Sequence, residues 1–351
     1  MHNKGFITSV TTLALTACIA CSAQQASTEE TMTPRQAEER EIAIRGTLAG
    51  IGAKLEKVND HIAITMVYPG SPAEKAGLKA GQVITAINTA PTGQMTLDNA
   101  VSLVRGPKGS QVELTVSDSS TAAPRQVAIV RDIIALPAFT ATGKILDGNI
   151  GLLTIPSFSE WTPKTVISIL QSFVNNGVQG IVLDLRGNGG GSYSAVIEAA
   201  GLFTGRKPTL WLKRQGKQAE TVHAMGNALW QGPLVVLVDG TTAAGAELLA
   251  SALQTSDLAK VVGQKTYGKA AFMSVQSQPD GSSKVTVVGN CLTAGGDPID
   301  GCGIKPDVML DANLSKEETL RKTVEVLSSQ KDVKPHGQRK RGSKLKSAPD
   351  M

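Results

Sequence analysis

The 351-residue chain is poor in aromatic residues, which make up 3% of it. So few rings cannot build base-stacking platforms, and no nucleic-acid partner is expected. Cysteine is scarce too, with four residues. None stands near a histidine at zinc-ligand spacing, so no metal and no cofactor is expected. Long apolar runs are also missing. The stretch 6–17 is the nearest to one and is too short to span a bilayer. Finally, charge of one sign is missing from the body of the chain. The net charge is +5, but residues 331–351 hold seven basic residues against two acidic ones and account for all of it. That stretch, also poor in apolar residues, reads as a basic disordered tail.

The beginning of the chain has the pattern of an export signal over residues 1–23, with Lys4 ahead of the apolar stretch. Leu15-Thr16-Ala17-Cys18 resembles a bacterial lipobox and makes Cys18 a lipidation candidate; ordinary cleavage after Ala23 is the other reading. Either one implies export to the bacterial cell envelope, in the periplasm or on a membrane by a lipid anchor. In such a compartment Cys291 and Cys302 are a disulfide candidate across a turn, contributing about 3 kcal/mol in the chain-entropy picture. Two free thiols are the alternative.

Residues 24–45 read as a polar linker and a short helix. From Gly46 the texture changes to short alternating strands at 62–67, 83–87, 112–116 and 126–130, with helices at 71–77 and 97–105. A second region, 133–313, shows strands at 150–155, 180–185 and 234–238 and helices at 163–175 and from about 246, the pattern of α/β layers. The runs at 180–185 and 234–238 are apolar throughout, as in strands buried on both faces. Residues 314–330 form a last helix, with Ser315 as N-cap and Glu318 completing a capping box.

Gly50-Ile51-Gly52-Ala53 is followed by Gly70-Ser71-Pro72-Ala73-Glu74-Lys75-Ala76-Gly77-Leu78 and Gly81-Gln82-Val83-Ile84, then by the turn 104–109. Residues 46–132 thereby resemble a PDZ domain of the bacterial protease-associated type. The resemblance implies that the N–H groups of Gly50, Ile51, Gly52 and Ala53 receive a peptide's terminal carboxylate. The peptide would add as a strand beside 53–57, with Leu97 and Val101 lining a side-chain pocket.

Three stretches carry a second resemblance. Ile181-Val182-Leu183-Asp184-Leu185-Arg186 runs into Gly187-Asn188-Gly189-Gly190-Gly191. Thr242-Ala243-Ala244-Gly245-Ala246-Glu247-Leu248 follows an apolar strand, and Thr266-Tyr267-Gly268-Lys269 follows in turn, with Lys269 25 residues after Ala244. Residues 133–313 are similar to the C-terminal processing serine peptidases, or tail-specific proteases. The implied fold is α/β + β: a PDZ domain followed by a core of the crotonase/ClpP-like ββα type. The implied chemistry is acyl transfer by a Ser–Lys dyad, with the lysine kept neutral by burial and an oxyanion held by backbone N–H groups. Lys269 falls on the general-base position, and Gly245 and Gly190 on oxyanion positions. The serine position, however, is Ala244, and the lysine-orienting glutamine is Met273.

Neither Thr242 nor Ser251 is placed to substitute, and Asp184 and Arg186 read as a structural pair. The substitution at residue 244 is either natural or engineered. The expected function is therefore peptide binding through polypeptide C-termini by a catalytically dead or impaired member of this family. Two alternatives stand: an active endopeptidase, if residue 244 is natively serine or another nucleophile serves, and an envelope-anchored scaffold or adaptor. The oligomeric state is not readable.

Overall fold

A computed structural model describes residues 29–118, 123–214, 216–293 and 295–330. The signal segment, Cys18 and the basic tail lie outside them. The described chain opens with a strand where a linker was expected, β1 (Glu29–Met32), and continues as helix α1 (Pro34–Arg45). β1 is held by a strand near the other end of the chain, a partner that local composition cannot reveal. The contacts divide the chain into two compact units: residues 46–137, and a second unit assembled from the segments on either side of them.

In the unit 46–137, β2 (Thr47–Gly50) pairs with β9 (Asp132–Ala135). The main sheet contains β3 (Ala53–Val58), β4 (His61–Val67), β5 (Val83–Ile87), β6 (Ala90–Pro91), β7 (Gln111–Ser117) and β8 (Arg125–Val130). Its order is β3-β4-β5-β7-β8, so β3 is an edge strand. Period-2 alternation explains the inner face: Val112, Leu114 and Val116 of β7 are all fully buried. Helix α2 (Pro72–Lys75) starts on Ser71, whose side chain accepts from the Glu74 N–H, while Pro72 sits where no donor is needed. Helix α3 (Leu97–Val104) is capped by Thr96 in the same way. At its other end, the buried Arg131 guanidinium donates to the carbonyls of Leu103 (2.7 Å) and Val104 (2.9 Å). A cation there satisfies helix-end carbonyls and the negative end of the helix dipole.

The other unit contains a six-stranded sheet ordered β10-β11-β12-β15-β16-β19. Its strands are β10 (Thr142–Leu146), β11 (Ile150–Thr154), β12 (Gly180–Asp184), β15 (Leu234–Val238), β16 (Lys260–Gly263) and β19 (Val308–Met309). All neighbours are parallel except β10 and β11. Every residue of β12 and β15 is buried, because both faces are covered. One face packs on α4 (Thr162–Asn175), α5 (Tyr193–Thr204) and α6 (Gly245–Thr255), the other on α7 (Lys316–Ser329). Ser315 and Glu318 form the expected capping box on α7.

A further sheet joins β13 (Pro208–Arg214), β14 (Glu220–His223), β17 (Ala271–Ser277) and β18 (Ser283–Leu292) to β1. Sequence patterning does not reveal it, because β17 alternates irregularly and its pairing with β18 slips at a bulge between Phe272 and Met273.

Candidate active site

The parallel strands β12, β15 and β16 deliver their carboxyl ends to one rim of the sheet, and three loops leave from there. Beyond β15, the Asp239 carboxylate accepts from the N–H groups of Thr241 (2.9 Å), Thr242 (2.9 Å) and Gly187 (3.3 Å), so it ties this loop to the one after β12. Burial works against its charge. The hydrogen bonds from Thr241, Gly187 and Thr242 outweigh burial and hold the carboxyl below its usual range. The turn then reaches Ala244, with φ 50° and ψ −118°, at the N-cap of α6. A side chain rarely accepts that geometry; it costs about 1–3 kcal/mol. It is the sharp strand-to-helix turn that presents a side chain at position 244 outward, beside the first free N–H groups of a helix.

Glu247, one turn into α6, is fully buried. Its Oε2 accepts from the Ala244 N–H (3.0 Å) and from the Lys269 N–H (2.9 Å). Its Oε1 accepts from the Gly268 N–H (2.7 Å) and the Thr266 hydroxyl. That hydroxyl in turn accepts from the Ile304 N–H at 2.6 Å. A single carboxylate oxygen therefore joins the backbone of the nucleophile position to that of the lysine position. Sequence reading passes over Glu247, although an acidic residue three positions past a helix cap is a recognisable signal.

The other expected residues vary in how well they match their assigned roles. The Gly245 N–H, at the start of α6, meets no acceptor among the described residues. The Gly190 N–H is different: it donates to Asn188 Oδ1 at 2.8 Å and is not a free oxyanion donor. Gly190 is required for space instead. Its φ is +100°, and a Cβ there would lie 2.7 Å from the Ala244 Cβ. The Lys269 side chain is exposed, so the expected burial is not found; the turn seats its backbone, not its ammonium. Met273, on β17, is 37% exposed and stands opposite Val287 beside the bulge.

Thr242 and Ser251 are fully buried. The Thr242 hydroxyl donates to the Leu185 carbonyl at 2.9 Å, and Ser251 lies within α6, so neither presents a nucleophile at the rim. Asp184 and Arg186 do pair, at 2.9 and 2.7 Å. Cys291 and Cys302 are not joined in the expected disulfide. Cys291 faces the core, where burial and then the Asp300 charge push its thiol up to about 12. Among the described residues, no cluster of histidine, cysteine or carboxylate is placed to hold a metal, and no helix is long and apolar enough to cross a membrane.

In the unit 46–137, Gly52 has φ +80°, and a Cβ there would fall 2.3 Å from that of Ser71. The loop's carbonyls are occupied: Ile51 O accepts from the Ala73 N–H (2.8 Å) and Gly52 O from the Tyr68 N–H (2.9 Å). Gly50 pairs with Asp132, and Ala53 with Val67. The Ile51 side chain belongs to the core, so only its backbone could serve a ligand. Leu97 and Val101 remain partly exposed on α3.

Comparison with known proteins agrees with this architecture. The profile of peptidase family S41 matches residues 149–310, and that of the PDZ domain matches 64–117. The carboxy-terminal processing protease CtpA of Bacillus subtilis is 35% identical over 278 residues, 79% of this chain and 59% of that protein. The carboxyl-terminal-processing protease of Picosynechococcus is 35% identical over 280 residues, 79% of this chain and 67% of that protein. The chain thus spans about three fifths to two thirds of the length of these two relatives. The solved photosystem II D1 C-terminal processing protease superposes with a TM-score of 0.50 at 27% identity, covering 84% of this chain and 81% of that one. Strand order, glycine loop, nucleophile turn and lysine turn lead with these matches to one conclusion: the chain belongs to the C-terminal processing proteases of peptidase family S41, with a PDZ domain.

Proposed function

We propose that this chain recognises polypeptide C-termini through its PDZ domain and does not hydrolyse them. The observation that carries the reading is Ala244, which keeps the backbone geometry of a presented nucleophile and has no hydroxyl. In the family chemistry a serine oxygen attacks the peptide carbonyl carbon while a lysine takes its proton. Backbone N–H groups then stabilise the oxyanion. Here a methyl group stands at the attacking atom. Lys269 has no proton to take, and Met273 offers no hydrogen bond to orient it. What remains is the N–H of Gly245 at the start of α6. Loss of the nucleophile of such a dyad costs on the order of 10⁶ in rate. The PDZ domain, by contrast, keeps what binding requires: an open edge strand and the glycine loop.

The signal pattern supports export to the cell envelope, and the Cys18 motif supports a lipid anchor there. The second loss, at Met273, supports a natural rather than an engineered substitution.

Incubation with an unfolded protein tests the reading. The sequence as given should leave it intact. Ala244→Ser, alone or with Met273→Gln, should restore cleavage that Lys269→Ala then removes. Cleavage by the unchanged sequence, lost on Lys269→Ala, would sink the proposal in favour of an active endopeptidase.

A further inference from the structure

A C-terminus added on β3 would occupy one edge of the main sheet in the unit 46–137. The opposite edge is β8, which has no neighbour on its outer side among the described residues. Edge strands usually carry charges, proline or bulges that discourage further pairing. β3 does: it has Lys54, Glu56 and Lys57, and its register slips between Lys54 and Leu55. β8 does not. From Gln126 to Val130 it has no charge and no proline, and it pairs with β7 in unbroken register. Arg125, its one charged residue, is turned aside and donates to the Gly77 carbonyl at 3.0 Å.

Asn88, which follows β5, shows which backbone groups of β8 face outward. Its N–H donates to Glu113 O at 2.6 Å, and its Oδ1 accepts from the Glu113 N–H at 3.2 Å. Glu113 of β7 therefore turns toward the β5 side. By alternation Val112, Leu114 and Val116 turn toward β8, where they stand opposite Ile129, Val127 and Arg125. The N–H and C=O groups of Gln126, Ala128 and Val130 are left pointing away from the sheet. They form a ready row of donors and acceptors for one more strand.

Beside that row, α2 and β8 border a groove of about 470 Å³. Its walls are apolar. Pro72 and Ala76 are half-buried on the α2 side, and Ala128 and Val130 are exposed on β8, Val130 at 57%. Its rim is basic. Lys75 is exposed and makes no ion pair among the described residues, and Lys108 pairs with Asp132 at 2.7 Å. Glu74 turns to the Gly70 N–H instead. With Arg125 close by, the cations outnumber the one carboxylate in the groove. A second copy of this chain would bring the same cations against these, and like charges across a strand pair oppose it. Acidic side chains answer them. We infer that β8 and the groove beside it receive an extended segment of a partner protein as an added strand. Its apolar side chains cover the groove wall and its acidic ones meet Lys75 and Lys108.

The test uses the full chain and a fluorescent hexapeptide of alternating Glu and Val, blocked at both ends. It has no terminal carboxylate, so its binding is separate from recognition of C-termini, and either reading can fail without the other. The peptide should bind, and its Lys–Val counterpart should bind on the order of tenfold more weakly. Ala128→Pro removes an outward N–H, a change that an edge strand tolerates, and should abolish binding by a chain that thermal unfolding shows to be folded. Lys75→Glu should weaken binding several-fold and reduce its sensitivity to salt. No binding, equal binding of the two peptides, or unchanged binding by either variant overturns the inference. If Ala128→Pro does not fold, Lys75→Glu decides in the same way. A dimer in sedimentation that Ala128→Pro removes would assign the edge to a second copy. Lys75-dependent capture on phosphatidylglycerol vesicles without peptide binding would assign it to a membrane. Either result overturns the inference as well.

Discussion

Ala244 keeps a backbone geometry from which an alanine gains nothing. Glycine enters that region freely, so Ala244→Gly should relieve about 1 kcal/mol and raise the melting temperature by roughly 2 °C. A fall on this substitution would show that the turn is not strained in solution. The geometry persists because its neighbours impose it: Ala243 N–H donates to Asn188 O, Tyr267 N–H donates to Thr242 O, and Glu247 holds Ala244 from beneath. Glu247 receives four donors and offers none. A glutamine there would turn two N–H groups toward backbone N–H groups. Glu247→Gln should therefore cost about 2–4 kcal/mol, read as a lower urea midpoint. It should also prevent Ala244→Ser from restoring cleavage.

Helix α5 shows a conflict between local propensity and packing. Glycine inside a helix costs about 1 kcal/mol relative to alanine, so Gly201→Ala looks stabilising from the sequence. A Cβ on Gly201, however, would lie 1.7 Å from the Met225 carbonyl oxygen, in a loop whose Leu229 N–H donates to Leu202 O. The clash wins. Gly201→Ala should lower stability by about 2 kcal/mol or more, measurable by calorimetry, and an unchanged melting temperature would contradict this packing. The same contrast separates what was legible in the sequence from what was not. β12 and β15 could be read because burial on both faces writes a continuous apolar run, and α7 because its cap is a local motif. β1 could not, because its partner strand lies near the other end of the chain, nor could β17, whose half-exposed alternation is broken at a bulge. At the site, residue identities at 244, 269 and 273 were legible. The dependence of the first two on one buried carboxylate, the exposure of Lys269 and the occupied N–H of Gly190 required coordinates.

At the scale of the whole molecule, acid and alkali should act on different groups. Lys108 holds Asp132 below the usual carboxylate range; Ser282 does so for Asp280, and Ser315 for Glu318. At Asp239 hydrogen bonds achieve the same against burial. A depressed carboxylate contributes its stability above the ordinary value, 3.8 for Asp and 4.5 for Glu, and loses it as pH falls through the folded value. At the other extreme, burial pushes the Cys291 thiol and the Tyr193 phenol up to about 12 from 9.0 and 10.0. These groups must stay neutral to remain inside, so stability falls as pH rises above about 9. Urea midpoints should be flat from about pH 5 to 8 and fall on both sides; a monotonic profile would refute this assignment. The discontinuous unit also sets an order in time. β1 is synthesised early, but its partners in β18, residues 283–286, come some 250 positions later. At 5–20 residues per second, roughly 12–50 s separate the two. The segment 46–137 is complete long before that gap closes. During synthesis, the PDZ unit can therefore fold first, while the peptidase frame still waits for its last strands.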